Sequence, residues 1–171
     1  MTLYLVTAEA YDELHREEQY AKYKCLAELT GESLGRLLDI GCGTGLFYEY
    51  AEARNLEFEV YVCLDPYEEY LVKAASKMRR DPRVILVQGY AEDLPFRSAY
   101  FTTVISVSTW GAIEGRESAL LEAKRVLNNH GIAVFTGYPR TYSKPPTTYD
   151  PEFQYKVSCI DEFYAYEKSR N

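Results

Sequence analysis

The stretch Arg36-Leu37-Leu38-Asp39-Ile40 reads as a continuous apolar strand, with Leu37 and Leu38 at successive rather than alternate positions, and it runs directly into Gly41-Cys42-Gly43-Thr44-Gly45. A strand with apolar side chains on both sides needs cover on both faces, which is the condition of an inner strand in a parallel sheet. The glycines then allow a tight turn and close approach of a ligand to the backbone. Leu46 to about Arg54 reads as the following helix, whose free N–H groups point back at the loop. Strand, glycine turn and helix in this order make the first βα unit of a doubly wound sheet.

The same rhythm continues downstream. Glu57 to Leu64 is a second strand, stopped by Asp65-Pro66, and Pro66 suits the start of a helix from Tyr67 to Arg80. Arg83 to Gln88, Phe101 to Val107 and Gly131 to Thr136 are the third, fourth and fifth strands, with a helix over Glu117 to Leu127. Upstream, Tyr11, Leu14, Tyr20, Tyr23 and Leu26 recur near the helical period, predicting an amphipathic helix from Thr7 to Leu29 with room for one break. The fold class is therefore α/β: a doubly wound, mostly parallel, Rossmann-like sheet with helices on both faces. Pro139, Pro145, Pro146 and Pro151 make Tyr138 to Pro151 a loop, and Glu152 to Ser169 reads as a C-terminal antiparallel hairpin turning near Asp161-Glu162. One domain is expected over 1–171, divided into a helical cover (1–35), a cofactor-binding core (36–137) and the loop with its hairpin (138–171).

Composition narrows the function classes. A net charge of -7 opposes unaided binding to an extended nucleic-acid backbone. Lys73, Lys77, Arg79, Arg80 and Arg83, the densest basic group, fit cations facing water at the C-terminal end of a helix. No apolar run is long enough to span a bilayer and no signal peptide is visible, so a soluble, cytoplasmic protein with no membrane partner is expected. Cys25, Cys42, Cys63 and Cys159 form no CxxC pair, and His15 and His130 are the only histidines. Free thiols are favoured over a zinc site and no metal is expected, while spacing leaves a disulfide open.

A dinucleotide fingerprint, GxGxxG, fails in both frames, because Leu46 and Tyr48 stand where its last glycine is required. Leu37 to Gly45 instead resembles the first motif of class I S-adenosylmethionine-dependent methyltransferases, in the form seen in the ubiquinone-biosynthesis-like, or type 11, group. Cys63-Leu64-Asp65-Pro66 resembles that family's second-strand end, and Gly89-Tyr90-Ala91-Glu92-Asp93-Leu94-Pro95-Phe96 its third-strand loop. Phe101 to Ser106 is similar to the fourth strand, Glu122 to Gly131 to the helix and turn before the fifth, and Tyr11-Asp12-Glu13-Leu14 to the helical cover of small archaeal-type members.

The resemblance implies S-adenosyl-L-methionine as cofactor, held by Asp39, Gly41, Cys42, Gly43, Gly45, Asp65, Pro66, Tyr90, Ala91, Glu92 and Ser106. Asp39 would orient the methionyl amino group, Asp65 the ribose diol, and Ala91 the adenine edge. Tyr90 stands where many relatives have Asp or Asn, and Thr102 where many have Asp. Methyl transfer is an in-line displacement served by positioning and exclusion of water, so no catalytic side chain is assigned. Tyr11, His15, Glu92, Tyr138 and Arg140 are conceivable lining residues. Trp110 is placed to stack on an acceptor or to pack in the core. The acceptor is unidentified. RNA or protein is slightly preferred over a small metabolite, a small activating subunit is a conceivable partner, and the alternative is a non-catalytic cofactor-binding protein or subunit.

Overall fold

The computed structural model describes residues 7–138 and 144–169. Its strands are β1 (Ser33–Ile40), β2 (Glu57–Asp65), β3 (Val84–Gln88), β4 (Phe101–Ser106), β5 (Leu127–Gly137), β6 (Gln154–Cys159) and β7 (Asp161–Glu167). They form one seven-stranded sheet in the order β3-β2-β1-β4-β5-β7-β6, in which β1 to β5 are parallel and β7 runs antiparallel to both neighbours. The strand order reverses between β1 and β4, and at such a point a crevice opens beyond the carboxyl ends of the strands.

The run from Arg36 to Ile40 is covered on both faces, as expected. Leu37 packs on one side of the sheet with Leu26, Phe47 and Tyr61, while Leu38 packs on the other with Val104, Leu120 and Phe135. The first side is covered by α1 (Ala8–Thr30), α2 (Leu46–Ala53) and α3 (Glu68–Met78), and the second by α4 (Arg116–Val126).

Several expectations need correction. The N-terminal helix is unbroken and is capped by the Thr7 hydroxyl, which accepts from the Ala10 N–H. Pro66 lies outside α3, which starts at Glu68 with Tyr67 as its N-cap. β5 begins at Leu127, directly after α4. Pro146 opens a single helical turn, α5 (Pro146–Tyr149), because a proline is tolerated where no helical N–H partner is needed. The hairpin turns at Ile160, whose φ is 69°, one residue before the expected site. Residues 139–143, including Arg140, lie outside the described residues.

The cysteines are paired, contrary to the free-thiol reading. Cys25 on α1 bonds Cys159 on β6, and Cys42 in the glycine loop bonds Cys63 on β2. Sequence separations of 134 and 21 gave no sign of this; α1 lying against the hairpin and the loop lying over β2 bring the Cα atoms to 6.6 and 5.4 Å. Of the basic group, Lys77 does not face water but turns inward to Asp12, at 2.5 Å.

Thr102 has a structural task. Its hydroxyl oxygen accepts from the Arg36 N–H at 2.6 Å and lies 3.2 Å from the Leu34 carbonyl, pinning β4 to the start of β1.

Candidate functional site

The glycine loop hangs from the end of β2. The N–H groups of Gly41 and Cys42 both donate to the Leu64 carbonyl, at 2.7 and 3.1 Å. At Gly41 a Cβ would run into the side chain of Thr109, so the loop is pressed against the chain leaving β4. At Gly43, with φ 55°, a Cβ would meet nothing within 4 Å, and the space above the loop is open. Gly45, in the left-handed region, leads into α2.

Asp65 ends β2 beside this loop. One carboxylate oxygen accepts from the Gly43 N–H at 3.0 Å and the other from the Tyr67 N–H at 2.9 Å. It therefore ties the loop to the turn before α3, and each oxygen keeps a lone pair for a further donor. Burial raises its pKa, with the two backbone hydrogen bonds working against that rise. The Pro66 carbonyl accepts from Gln88 Nε2 at 3.0 Å.

Asp39, on β1, is 4% exposed and accepts a 2.5 Å hydrogen bond from the Tyr61 hydroxyl. Burial pushes its carboxyl up to about 7, against the Tyr61 bond, and the charge of Asp65 adds to the rise. Among the described residues no cation pairs with it. Ser106 is fully buried at the end of β4 and shares a hydrogen bond with Thr109.

On the adenine side, Tyr90 is 66% exposed and Ala91 is buried. The Glu92 carboxylate accepts from the Gly115 N–H at 3.0 Å, so it braces the turn before α4. Trp110 packs against Phe135 and Tyr149 and donates to the Lys144 carbonyl at 2.8 Å; it is a core residue. Tyr138 is half exposed and its hydroxyl donates to Glu18. His15 packs against Tyr11 with the rings tilted by 47° and their centroids 4.7 Å apart.

The polar stripe of α1 was missed as a group. Asp12 accepts from Thr44 of the glycine loop at 2.5 Å and pairs with Lys77 of α3, fastening α1 over the loop. Two turns on, Gln19 and Lys22 are buried against Ser108, which follows β4. The signal was available in the helical spacing: Asp12, Gln19 and Lys22 fall on the same stripe as Ala8, Tyr23 and Leu26, where apolar side chains are the norm.

A family model described as a methyltransferase domain matches residues 38–135, more than half of the chain. The chain belongs to that family. Curated relatives include a malonyl-[acyl-carrier protein] O-methyltransferase of Geobacter sulfurreducens, 28% identical over 75% of this chain and 48% of that protein. A phthiotriol/phenolphthiotriol dimycocerosates methyltransferase of Mycobacterium ulcerans is 29% identical over 77% of this chain and 47% of that protein. The chain spans about half the length of these relatives. Among solved structures, an S-adenosylmethionine-dependent methyltransferase of Aquifex aeolicus aligns with TM-score 0.71 and 18% identity, covering 94% of this chain and 95% of that one. A Haloferax volcanii methyltransferase solved with its Trm112 activator aligns with TM-score 0.68 and 21% identity over 77% of this chain and 58% of that one.

The methyltransferase family implies S-adenosylmethionine as cofactor, and the residues fit it. Open space over Gly43 admits a ligand against the backbone, and Asp65 retains acceptor capacity for a diol. Asp39 is a buried carboxyl without a cation among the described residues, suited to an ammonium group.

Proposed function

We propose that this methyltransferase domain binds S-adenosylmethionine across the ends of β1, β2 and β3 and catalyses methyl transfer to an acceptor that enters over the ends of β4 and β5. The reading is carried by Asp39, a buried carboxyl with no cationic partner among the described residues, lying below a glycine loop that is open above Gly43. When bound, the cofactor supplies an electrophilic methyl group on a sulfonium, open to in-line displacement.

The residues of the chain bind, orient and exclude water. Asp39 takes the methionyl ammonium, the loop from Gly41 to Gly45 follows the methionyl backbone, and Asp65 with Pro66 receives the ribose. Ala91 meets the adenine edge through its backbone, with Tyr90 and Glu92 at the rim, and Ser106 lines the crevice at β4. Cys42 contributes its backbone while its sulfur ties the loop to β2. Helix α1 roofs the crevice through Asp12, which limits water near the reacting atoms.

A slender group reaches such a site, whether it projects from RNA or protein, the first choice from the sequence, or belongs to a metabolite. By their names, the Geobacter sulfurreducens relative acts on a malonyl group carried by acyl-carrier protein and the Mycobacterium ulcerans relative on phthiotriol or phenolphthiotriol dimycocerosates; the second supports the metabolite. A small activating subunit would find an exposed edge on β3, where Ile85 is 50% exposed. Calorimetry with S-adenosylmethionine, S-adenosylhomocysteine and NAD tests the cofactor; binding of NAD alone refutes the proposal. Labelled-methyl transfer to extracts split into RNA, protein and small molecules then separates the acceptors. Cofactor binding with no labelled product in any fraction supports a non-catalytic subunit instead.

A further inference from the structure

We propose that Gln19 is the residue that recognises the methyl acceptor, receiving an N–H hydrogen bond on Oε1, and that this acceptor is an amine. The inference rests on the methyl-transfer reading above and adds the substrate class.

Gln19 is 5% exposed, and Oε1 has no hydrogen-bond partner among the described residues. A buried acceptor left unsatisfied is costly, so a native chain that keeps one has a use for it. The orientation of the amide follows from the network beneath it. Thr136 and Ser108 both donate their hydroxyl hydrogens to Asp161 Oδ2, each at 2.7 Å. With its one hydrogen committed, Ser108 Oγ serves only as an acceptor, for Lys22 Nζ at 3.0 Å and for Gln19 Nε2 at 3.5 Å. The Gln19 nitrogen also faces the Tyr11 hydroxyl at 3.4 Å. The amide nitrogen is thereby turned to the protein and the enclosed carbonyl oxygen is left without a donor among the described residues.

This node sits at the seam between α1 and the chain leaving β4. Ser108 is held there with φ 60°, an unusual conformation for serine, and its N–H donates to Thr136 Oγ1 at 2.8 Å. Backbone strain of this kind persists where surrounding contacts over-determine it, and it clusters at ligand sites.

The same network selects an amine. An alcohol must lose a proton as its C–O bond forms, and the described groups around Gln19 are poorly placed to take it. Asp161 holds two hydroxyls on Oδ2, and its Oδ1, which forms no hydrogen bond among the described residues, is ion-paired with Lys22 at 3.1 Å; Glu18 holds Lys22 and Tyr138. Burial pushes the Tyr11 phenol up to about 12, so it keeps its proton. An amine that enters in its neutral form, having left its proton in bulk water, needs no base in the site. Its lone pair forms the C–N bond, the C–S pair goes to sulfur to give a neutral thioether, and the product ammonium sheds its proton to water. The ion-paired Glu18 and Asp161 outnumber Lys22, which disfavours a carboxylate acceptor.

Ligand-observed NMR with benzylamine, benzyl alcohol and benzoate, with and without saturating S-adenosylhomocysteine, tests this on the whole chain. Benzylamine is expected to bind at least about tenfold more tightly than benzoate, and Gln19→Leu to weaken benzylamine about tenfold, the cost of one hydrogen bond, while changing S-adenosylhomocysteine affinity by less than about twofold. Unchanged benzylamine binding in the variant overturns the proposal, as does preference for benzoate, or an equal loss of S-adenosylhomocysteine affinity, which would assign Gln19 to the cofactor. Should Gln19→Leu not fold, the wild-type preference and the chemistry of labelled product decide: alkali-stable methylamine supports the proposal, and alkali-labile methyl ester overturns it. Failure of the methyl-transfer reading registers separately, as absence of S-adenosylhomocysteine binding.

Discussion

Replacing Asp39 by Asn separates what this residue costs the fold from what it gives the site. Its carboxyl holds its proton up to about pH 7 in the folded chain, whereas the unfolded chain releases it near 3.8. Between those values the native state binds more protons than the unfolded one. The associated stability is fully present below pH 4 and is lost as pH rises to 7. A difference of this size corresponds to about 4 kcal/mol, because each pH unit is worth about 1.4 kcal/mol. Asparagine retains a carbonyl to accept the Tyr61 hydroxyl and carries no charge to desolvate. Asp39→Asn should therefore melt about 10 °C above the wild type at pH 8, given about 2–4 °C per kcal/mol in a chain of this size, and show little advantage at pH 4. Other carboxylates titrate in both proteins, so the quantity to follow by calorimetry is the difference between variant and wild type against pH. The functional cost runs the other way. S-adenosylhomocysteine, whose ammonium favours the ionised carboxylate, should bind the wild type more tightly as pH rises from 6 to 8 and bind the variant weakly, with a flat profile. A stability difference independent of pH would refute the reasoning about burial.

Other substitutions test the remaining contacts. Asp65→Asn keeps an acceptor for one backbone N–H but loses the charge, and calorimetry should show S-adenosylhomocysteine affinity falling about tenfold; unchanged affinity removes Asp65 from the site. Lys22→Met leaves buried Asp161 without its cation and should cost about 3–5 kcal/mol in denaturant unfolding, while the double variant with Asp161→Asn should recover much of that loss. Cys25→Ser opens a loop of 134 residues and Cys42→Ser one of 21, so the first should lower the unfolding midpoint more, by about 5 against about 3 kcal/mol on loop-closure grounds. Equal losses would show that the bridges act mainly through the folded state.

The parallel core was legible because local rules and the global fold agree. A doubly covered strand carries apolar side chains at neighbouring positions, as at Leu37 and Leu38, glycines follow where the backbone must turn tightly, and Asp65 ends its strand before a proline. Those signals lie within a few residues of one another, so Asp39 to Gly45 and Asp65 could be assigned as candidates without coordinates. Thr102 and Glu92 were harder to interpret, since their partners, Arg36 and Gly115, are 66 and 23 residues away.

By itself, the sequence determined the α/β alternation, the glycine loop and the family, all properties of short segments and their order. Tertiary structure alone decided that four cysteines form two bridges and that Lys77 turns inward to Asp12. It also decided that Gln19 is buried against Ser108 with an oxygen left unpaired among the described residues. The physical reason is the range of the forces. Hydrophobic periodicity and turn chemistry act along the chain, whereas desolvation, ion pairing and hydrogen-bond saturation depend on which distant groups the completed sheet brings together.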